Sequence, residues 1–107
     1  MSPERTDAYR RVIKTLNDLG PSKLLDAEQD RVRAAADSLI FSSDLHEDLA
    51  AREALEDVER LCRALVESGR WEQVTARRLA GDVLGCGPAQ PAALRAAYTG
   101  VPVRNVA

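Results

Sequence analysis

Few side chains in this chain of 107 residues could do chemistry, because it contains one histidine and two cysteines. His46 is followed by Glu47 and Asp48. A general acid or base needs a pocket close to the reacting group, whereas a histidine among acidic residues in a first helical turn is typical of a solvated side chain. We therefore predict that the protein is not an enzyme and that it binds no cofactor.

The two cysteines do not indicate a metal site. Cys62 and Cys86 lie far apart, and neither has a second cysteine or a histidine at ligand spacing. The Glu-x-x-His spacing of carboxylate-bridged metal sites in helical bundles is also missing from the sequence. We predict two reduced, buried thiols. Gly85 and Gly87 precede a proline and no lysine follows, so they indicate a turn and not a phosphate-binding loop.

Charge is distributed unevenly along the chain. Residues 1–43 carry seven acidic and seven basic side chains, residues 44–59 carry seven acidic and one basic, and residues 60–107 carry three acidic and seven basic. Complementarity to a helix dipole explains charges only in terminal turns. A solvated helix face is the simpler interpretation, and an electrostatically guided contact with a basic partner or a second copy is the functional one. The candidate partner-binding residues are Glu53, Glu56, Asp57, Glu59, Arg70, Arg77 and Arg78.

Residues 76–98 suggest an alternative function, because they have the outline of a helix-turn-helix. The connector, residues 85–90, is longer than the roughly 3 to 4 residues usual in that motif. The second helix offers Arg95 and little else that could contact a base. A net charge of −2 gives no overall attraction to phosphate. A small DNA-binding regulator is thus the alternative, and nucleic acid is the less favoured partner.

The longest uninterrupted segment, residues 44–69, predicts a central helix. Asp44 and Glu47 fit a capping box at its start, and Gly69 is suited to end it. Apolar residues recur at helical spacing between them, so we expect the other helices to pack along this one. The predicted buried face is Ala51, Leu55, Val58, Cys62 and Leu65.

Two further helices precede this segment. The first begins near Pro3 and ends at Gly20. The second begins at a capping box formed by Asp26 and Gln29 and reaches about Phe41. Their predicted apolar faces are Tyr9, Val12, Ile13, Leu16 and Leu19 in the first helix and Val32, Ala35, Ala36, Leu39 and Ile40 in the second.

The pattern becomes irregular after a fourth predicted helix, residues 72–84. Its apolar face comprises Ala76, Leu79, Ala80 and Val83. A short fifth helix opens at Pro91 and reaches about Tyr98, and an extended tail, residues 99–107, follows. The predicted fold class is therefore all-α. It is a single small bundle, residues 1–98, with four main helices and a short fifth helix.

Apolar residues outside these faces are further candidates for a contact, since soluble monomers rarely expose large apolar patches. They are Leu24, Leu25, Leu45, Leu49, Val101, Val103 and Val106. The sequence has neither a secretory signal nor an apolar stretch of the roughly 20 residues that span a bilayer. We expect a cytoplasmic protein without membrane partners. Thirteen arginines against two lysines suggest a GC-rich genome, bacterial or phage.

These observations predict a non-enzymatic helical module for protein–protein interaction or assembly. Its partner is another protein or a second copy of itself in a homo-oligomer.

Overall fold

The computed structural model describes residues 3–88, where the chain forms helices and connecting turns without a strand. The helices are α1 (Pro3–Lys23), α2 (Asp26–Ile40), α3 (Leu49–Glu67) and α4 (Gln73–Gly85). The predicted all-α class is confirmed. The predicted fifth helix, residues 91–98, and the tail lie outside the described residues. None of the four helices has the length and apolar content needed to cross a membrane.

The third helix begins at Leu49, so the predicted capping box at Asp44 is wrong. Asp44 belongs to a preceding turn, in which its carbonyl oxygen accepts from the backbone N–H of Asp48 at 3.1 Å. The carboxylate of Asp48 caps α3 by accepting from the N–H of Ala51 at 3.0 Å. Leu45 is buried by this turn. A helix continued back to that residue would rotate it roughly 130° away from the buried face of α3.

The second helix also begins differently from the prediction. The backbone N–H of Leu25 donates to the carboxylate of Glu28 at 2.9 Å, so Leu25 is the N-cap. The predicted pairing of Asp26 with Gln29 is therefore wrong by one residue. The Gln29 side chain instead donates to the carbonyl oxygen of Leu24 at 2.9 Å. Leucine has no side-chain acceptor of its own. Leu25 can nevertheless occupy the N-cap position, because the carboxylate of Glu28, three residues later, accepts from its backbone N–H.

Glycines end two helices, as predicted. Gly20 has a φ of 66°, so regular α1 stops there and one more turn leads to Lys23. Gly69 has a φ of 80°, and its N–H donates to the carbonyl oxygen of Val66 at 3.0 Å. Glycine adopts such positive φ values without steric strain, and these residues therefore turn the chain between antiparallel helices.

The apolar faces meet in one core. Every residue predicted for the buried faces of α2, α3 and α4 is buried. In α1, Val12 and Leu16 are buried, Tyr9 and Leu19 pack against the core and are partly buried, and Ile13 is half-buried outside the core cluster. Helix α3 packs between α2 and α4, and α1 contacts α2 and α4 on the opposite side of the bundle. The prediction that all helices pack along α3 is therefore wrong for α1.

One arginine joins the C-terminal ends of two helices. Nη2 of Arg5 donates to the carbonyl oxygens of Leu39, Ile40 and Ser42 at 2.7, 3.0 and 2.7 Å. Its Nε donates to the carbonyl oxygen of Cys86 at 2.9 Å. Terminal carbonyls have no partner within their own helix and carry the negative end of its dipole. The Arg5 guanidinium thus ties the start of α1 to the ends of α2 and α4.

At the other end of the bundle, the turn after α3 packs on the turn before α2. Trp71 is buried, and its indole N–H donates to the carbonyl oxygen of Lys23 at 3.0 Å. Arg70 donates two hydrogen bonds to the carboxylate of Glu28, at 3.0 and 2.9 Å. These contacts connect residues more than 40 positions apart, and they close the bundle at this end.

Candidate interaction surface

Among the predicted partner-binding residues, Asp57 is already bound within the chain. Its carboxylate oxygens accept from Nε and Nη2 of Arg31 at 2.9 and 2.8 Å, and Arg60 lies 3.8 Å away. The hydrogen bonds from Arg31 hold the pKa of the Asp57 carboxyl below its usual value and raise the pKa of Arg31. A bidentate pair of this kind has a fixed geometry, so it links α2 and α3 at one position of the surface where they pack together.

Arg70 is bound in the same way. Its two hydrogen bonds to Glu28 lower the pKa of that carboxyl and raise the pKa of the guanidinium. Arg70 and Asp57 are paired with neighbouring side chains of α2, because Glu28 and Arg31 lie one helical turn apart. Their predicted role in binding a partner stays a prediction, but their charges already stabilise contacts inside the molecule.

The other predicted residues are free of such pairs. Glu53, Glu56, Arg77 and Arg78 are exposed, and Glu59 is half-buried. None of these five forms an ion pair with another residue of the range 3–88. Their charges are therefore available to solvent or to a partner.

A groove of about 410 Å³ lies between α3 and α4. It brings Glu59 of α3 and Arg77 of α4 to one surface, whereas Glu53, Glu56 and Arg78 do not line it. Small side chains on α4, Ala76 and Ala80, leave room beside the longer side chains of α3. The groove is lined by Glu59, Cys62, Arg63, Val66, Glu67, Gln73, Ala76, Arg77 and Ala80.

The groove has an apolar floor and charged edges. Cys62, Ala76 and Ala80 are buried there, and Val66 is partly buried. Its four charged side chains comprise two glutamates and two arginines. Apolar concave surfaces with a few polar groups at the edge are typical of binding sites. One part of this site could be recognised in the sequence, because alanines four residues apart share one face of α4.

The thiols are suited to packing and not to chemistry. Burial raises the pKa of Cys62 to about 11 and that of Cys86 to about 12. Both cysteines are buried and unbridged, as predicted. A thiol with such a pKa is protonated at neutral pH, and the thiolate is the nucleophilic and metal-binding form. Within residues 3–88 there is also no group of three side chains that could hold a metal ion. His46 is exposed in the turn before α3.

Large apolar side chains are exposed at four positions of the described chain. Phe41 is 83% exposed, and Leu25, Leu49 and Val74 are 56%, 58% and 58% exposed. Leu25 and Leu49 were predicted as candidates, whereas Leu24 and Leu45 are buried. Phe41 was not predicted, because the sequence places it at the end of an apolar helix face. Its neighbour Ile40 takes the last buried position of that face.

The alternative DNA-binding motif is described only in part. Its first helix is present as α4, and Arg77 and Arg78 are exposed on it. The second helix of the motif, within residues 91–98, lies outside the described residues. The DNA-binding function stays a prediction, which a gel-shift assay at low salt tests.

Comparison with known protein families, curated proteins and solved structures finds no significant match for this chain. A functional conclusion therefore depends on the all-helical fold and on the surface between α3 and α4.

Proposed function

We propose that this protein is a non-enzymatic assembly module that associates with copies of itself, using the groove between α3 and α4 as a contact surface. The groove is the observation that carries the proposal. It combines an apolar floor with charged edges on the face formed by two packed helices. This anatomy, an apolar centre with a polar rim, is that of protein–protein interfaces.

The charge distribution supports association between copies. The acidic segment, residues 44–59, includes the turn before α3 and the first 11 residues of that helix, whereas residues 60–107 carry three acidic and seven basic side chains, among them Arg63 and Arg77 of the groove. Opposite charges on two parts of one chain favour a contact in which one part meets the other part of a second copy. Such complementarity increases association rates and fixes orientation.

Val66→Asp tests the groove directly, and Val74→Asp is its matched control. The first change puts a carboxylate on the floor of the groove, and the second makes the same change at an exposed position of α4 outside it. We expect wild-type mass, measured by light scattering, to rise between about 1 µM and 1 mM, where association free energies are about −8 to −4 kcal/mol. Val66→Asp should weaken association about 30-fold or more, since residues central to an interface contribute about 2 kcal/mol or more.

A second pair of variants tests the same groove in case Val66→Asp does not fold. Arg77→Glu reverses a charge that lines the groove, and Arg78→Glu reverses its exposed neighbour outside the groove. We expect only Arg77→Glu to weaken association, with both circular dichroism spectra unchanged. Raising the salt concentration to about 0.5 M should weaken wild-type association as well, because it screens exposed charges.

Two results would contradict the proposal. A wild-type mass of a single chain at every concentration and salt concentration contradicts self-association. Equal weakening by the groove variants and their controls contradicts the assignment of the groove as the contact surface.

A further inference from the structure

Phe41 has the most exposed large apolar side chain of residues 3–88. It is the C-cap residue of α2, and the exposed Leu49 begins α3 after the turn formed by residues 42–48. Because α2 and α3 pack together and are joined by this turn, both side chains lie at the same end of the bundle. Burying an aromatic ring is favourable, so this end of the bundle is a candidate contact surface.

The end of α4 lies beside Phe41. Nε of Arg5 donates to the carbonyl oxygen of Cys86 at 2.9 Å, while Nη2 donates to the carbonyl oxygen of Ser42 at 2.7 Å. A guanidinium is compact and planar, so these two oxygens lie within about 8 Å of each other. The backbone that leaves α4 is therefore next to the residue that immediately follows Phe41.

Gly87 brings the chain still closer to α2. A Cβ placed on this glycine would lie 3.2 Å from Cδ2 of Leu39, which is two residues before Phe41. Residues 88–90 can span no more than about 10 Å, and they lead to the predicted fifth helix, residues 91–98. That segment consequently begins within reach of Phe41.

The predicted fifth helix carries one pair of large apolar side chains. Leu94 and Tyr98 are four residues apart, which places them on one face of a helix. The positions between Pro91 and Tyr98 are otherwise alanines and Arg95. So short a helix is unstable in isolation, since even marginal helicity in water needs about 12 to 15 residues. The predicted helix therefore requires a surface that packs against this pair.

The charges on the two sides are opposite. The turn after Phe41, residues 42–48, contains three acidic side chains and neither arginine nor lysine. Residues 89–107 contain two arginines and no acidic side chain. Asp44 and Glu47 of the turn are exposed, and neither forms an ion pair with another described residue. Such complementarity guides two surfaces together and fixes their orientation.

We infer that residues 91–98 pack on Phe41 of the same chain, with Leu94 and Tyr98 covering its phenyl ring. A tethered segment has a local concentration of millimolar order, so it occupies this surface ahead of a second copy at micromolar concentration. The rings of Tyr98 and Phe41 can stack edge to face or offset.

This contact shields Phe41 from other proteins in the free chain, so a partner that binds this end of the bundle must displace the segment. The inference goes beyond the proposed function, because it does not use the groove. The groove is lined by α4 residues of the range 73–80, whereas the segment follows the other end of that helix.

Nuclear Overhauser effects (NOEs) in the full chain test the contact directly. Phe41 is the only phenylalanine, so its ring signals are unambiguous. We expect NOEs from its ring protons to the Leu94 methyl groups and to the Tyr98 ring. They should be equally strong at low and high protein concentration, and absent between labelled and unlabelled copies in a mixed sample, as a contact within one chain requires.

Leu94→Asp should remove the contact, and Val106→Asp is its matched control. Both changes add a carboxylate after α4, but only the first lies on the apolar face of the predicted helix. We expect Leu94→Asp to abolish the NOEs and to expose the Phe41 ring, so that a paramagnetic agent dissolved in the buffer broadens its signals. Val106→Asp should leave both measurements at their wild-type values.

Phe41→Ala reports on the contact from the other side, and it provides a second variant if Leu94→Asp does not fold. We expect the signals of Leu94 and Tyr98 to shift in Phe41→Ala. Leu25→Ala, which removes an exposed leucine at the opposite end of α2, should leave these signals unchanged. Circular dichroism checks that each variant keeps its helices.

Three results would overturn the inference. The first is a wild type without NOEs between Phe41 and residues 91–98. The second is equal broadening of the Phe41 signals in the wild type and in Leu94→Asp, because the ring is then exposed in both. The third is a set of NOEs found only between copies, which assigns the surface to a second chain. All three leave the proposed function standing, since none concerns the groove.

Discussion

Replacing Arg5 with alanine should lower the free energy of unfolding by about 3 kcal/mol or more, because it removes a cation hydrogen-bonded to four carbonyl oxygens. Those carbonyls lie at or just beyond the ends of α2 and α4, where the regular backbone hydrogen bonds of a helix run out. The loss also leaves the start of α1 without its attachment to the other two helices. Urea denaturation followed by circular dichroism measures the effect.

Two matched variants show whether the geometry of Arg5 is responsible. Arg10→Ala removes an exposed arginine of the same helix, whose Asp7 partner is 3.7 Å away, and it should cost less than about 0.5 kcal/mol. Arg5→Lys keeps the positive charge but replaces the planar set of donors by a single ammonium group, so it should recover only part of the stability. Equal stability of Arg5→Ala and Arg10→Ala would contradict the described role of Arg5.

The second large effect is expected at Trp71. Trp71→Ala removes a buried aromatic side chain between the two turns at one end of the bundle. Changes of this kind cost about 3 to 5 kcal/mol, from lost burial and from the cavity that remains. We expect the midpoint of urea unfolding to fall sharply, with the helix content of the surviving folded state retained.

Trp71→Phe separates the contribution of apolar burial to stability from that of the indole hydrogen bond. Phenylalanine keeps most of the apolar area but cannot donate to the carbonyl oxygen of Lys23. The free energy of unfolding should fall by about 0.5 to 1.5 kcal/mol, the net contribution of one hydrogen bond, because Nη2 of Arg70 still donates to the same carbonyl at 3.4 Å. If Trp71→Phe is as unstable as Trp71→Ala, the hydrogen bond dominates and the burial argument is wrong.

Periodicity in the sequence was sufficient to predict the buried faces of α2, α3 and α4. An amphipathic helix repeats its apolar residues with a period that local sequence shows, and the core confirms those residues. The start of α3 was harder to predict, because Asp44 and Asp48 are both suitable caps. Which of them caps the helix depends on the burial of Leu45, a tertiary contact that no local pattern shows.

The charges could be counted from the sequence, but their partners could not. Asp57 pairs with Arg31, 26 residues away, and Arg70 pairs with Glu28, 42 residues away. Arg5 binds the carbonyl of Cys86, 81 residues away. These distances depend on the antiparallel packing of the helices. The groove likewise depends on the spacing between two helices, and the exposure of Phe41 depends on where α2 ends.

The central claim is that copies of this chain associate through the groove between α3 and α4. Amide NMR spectra recorded at increasing protein concentration test it most directly, because each signal reports on one residue. We predict shifts or broadening concentrated in residues 59–67 and 73–80, which contribute the lining of the groove. Spectra that superimpose at all concentrations, or changes confined to other surfaces, would contradict the claim.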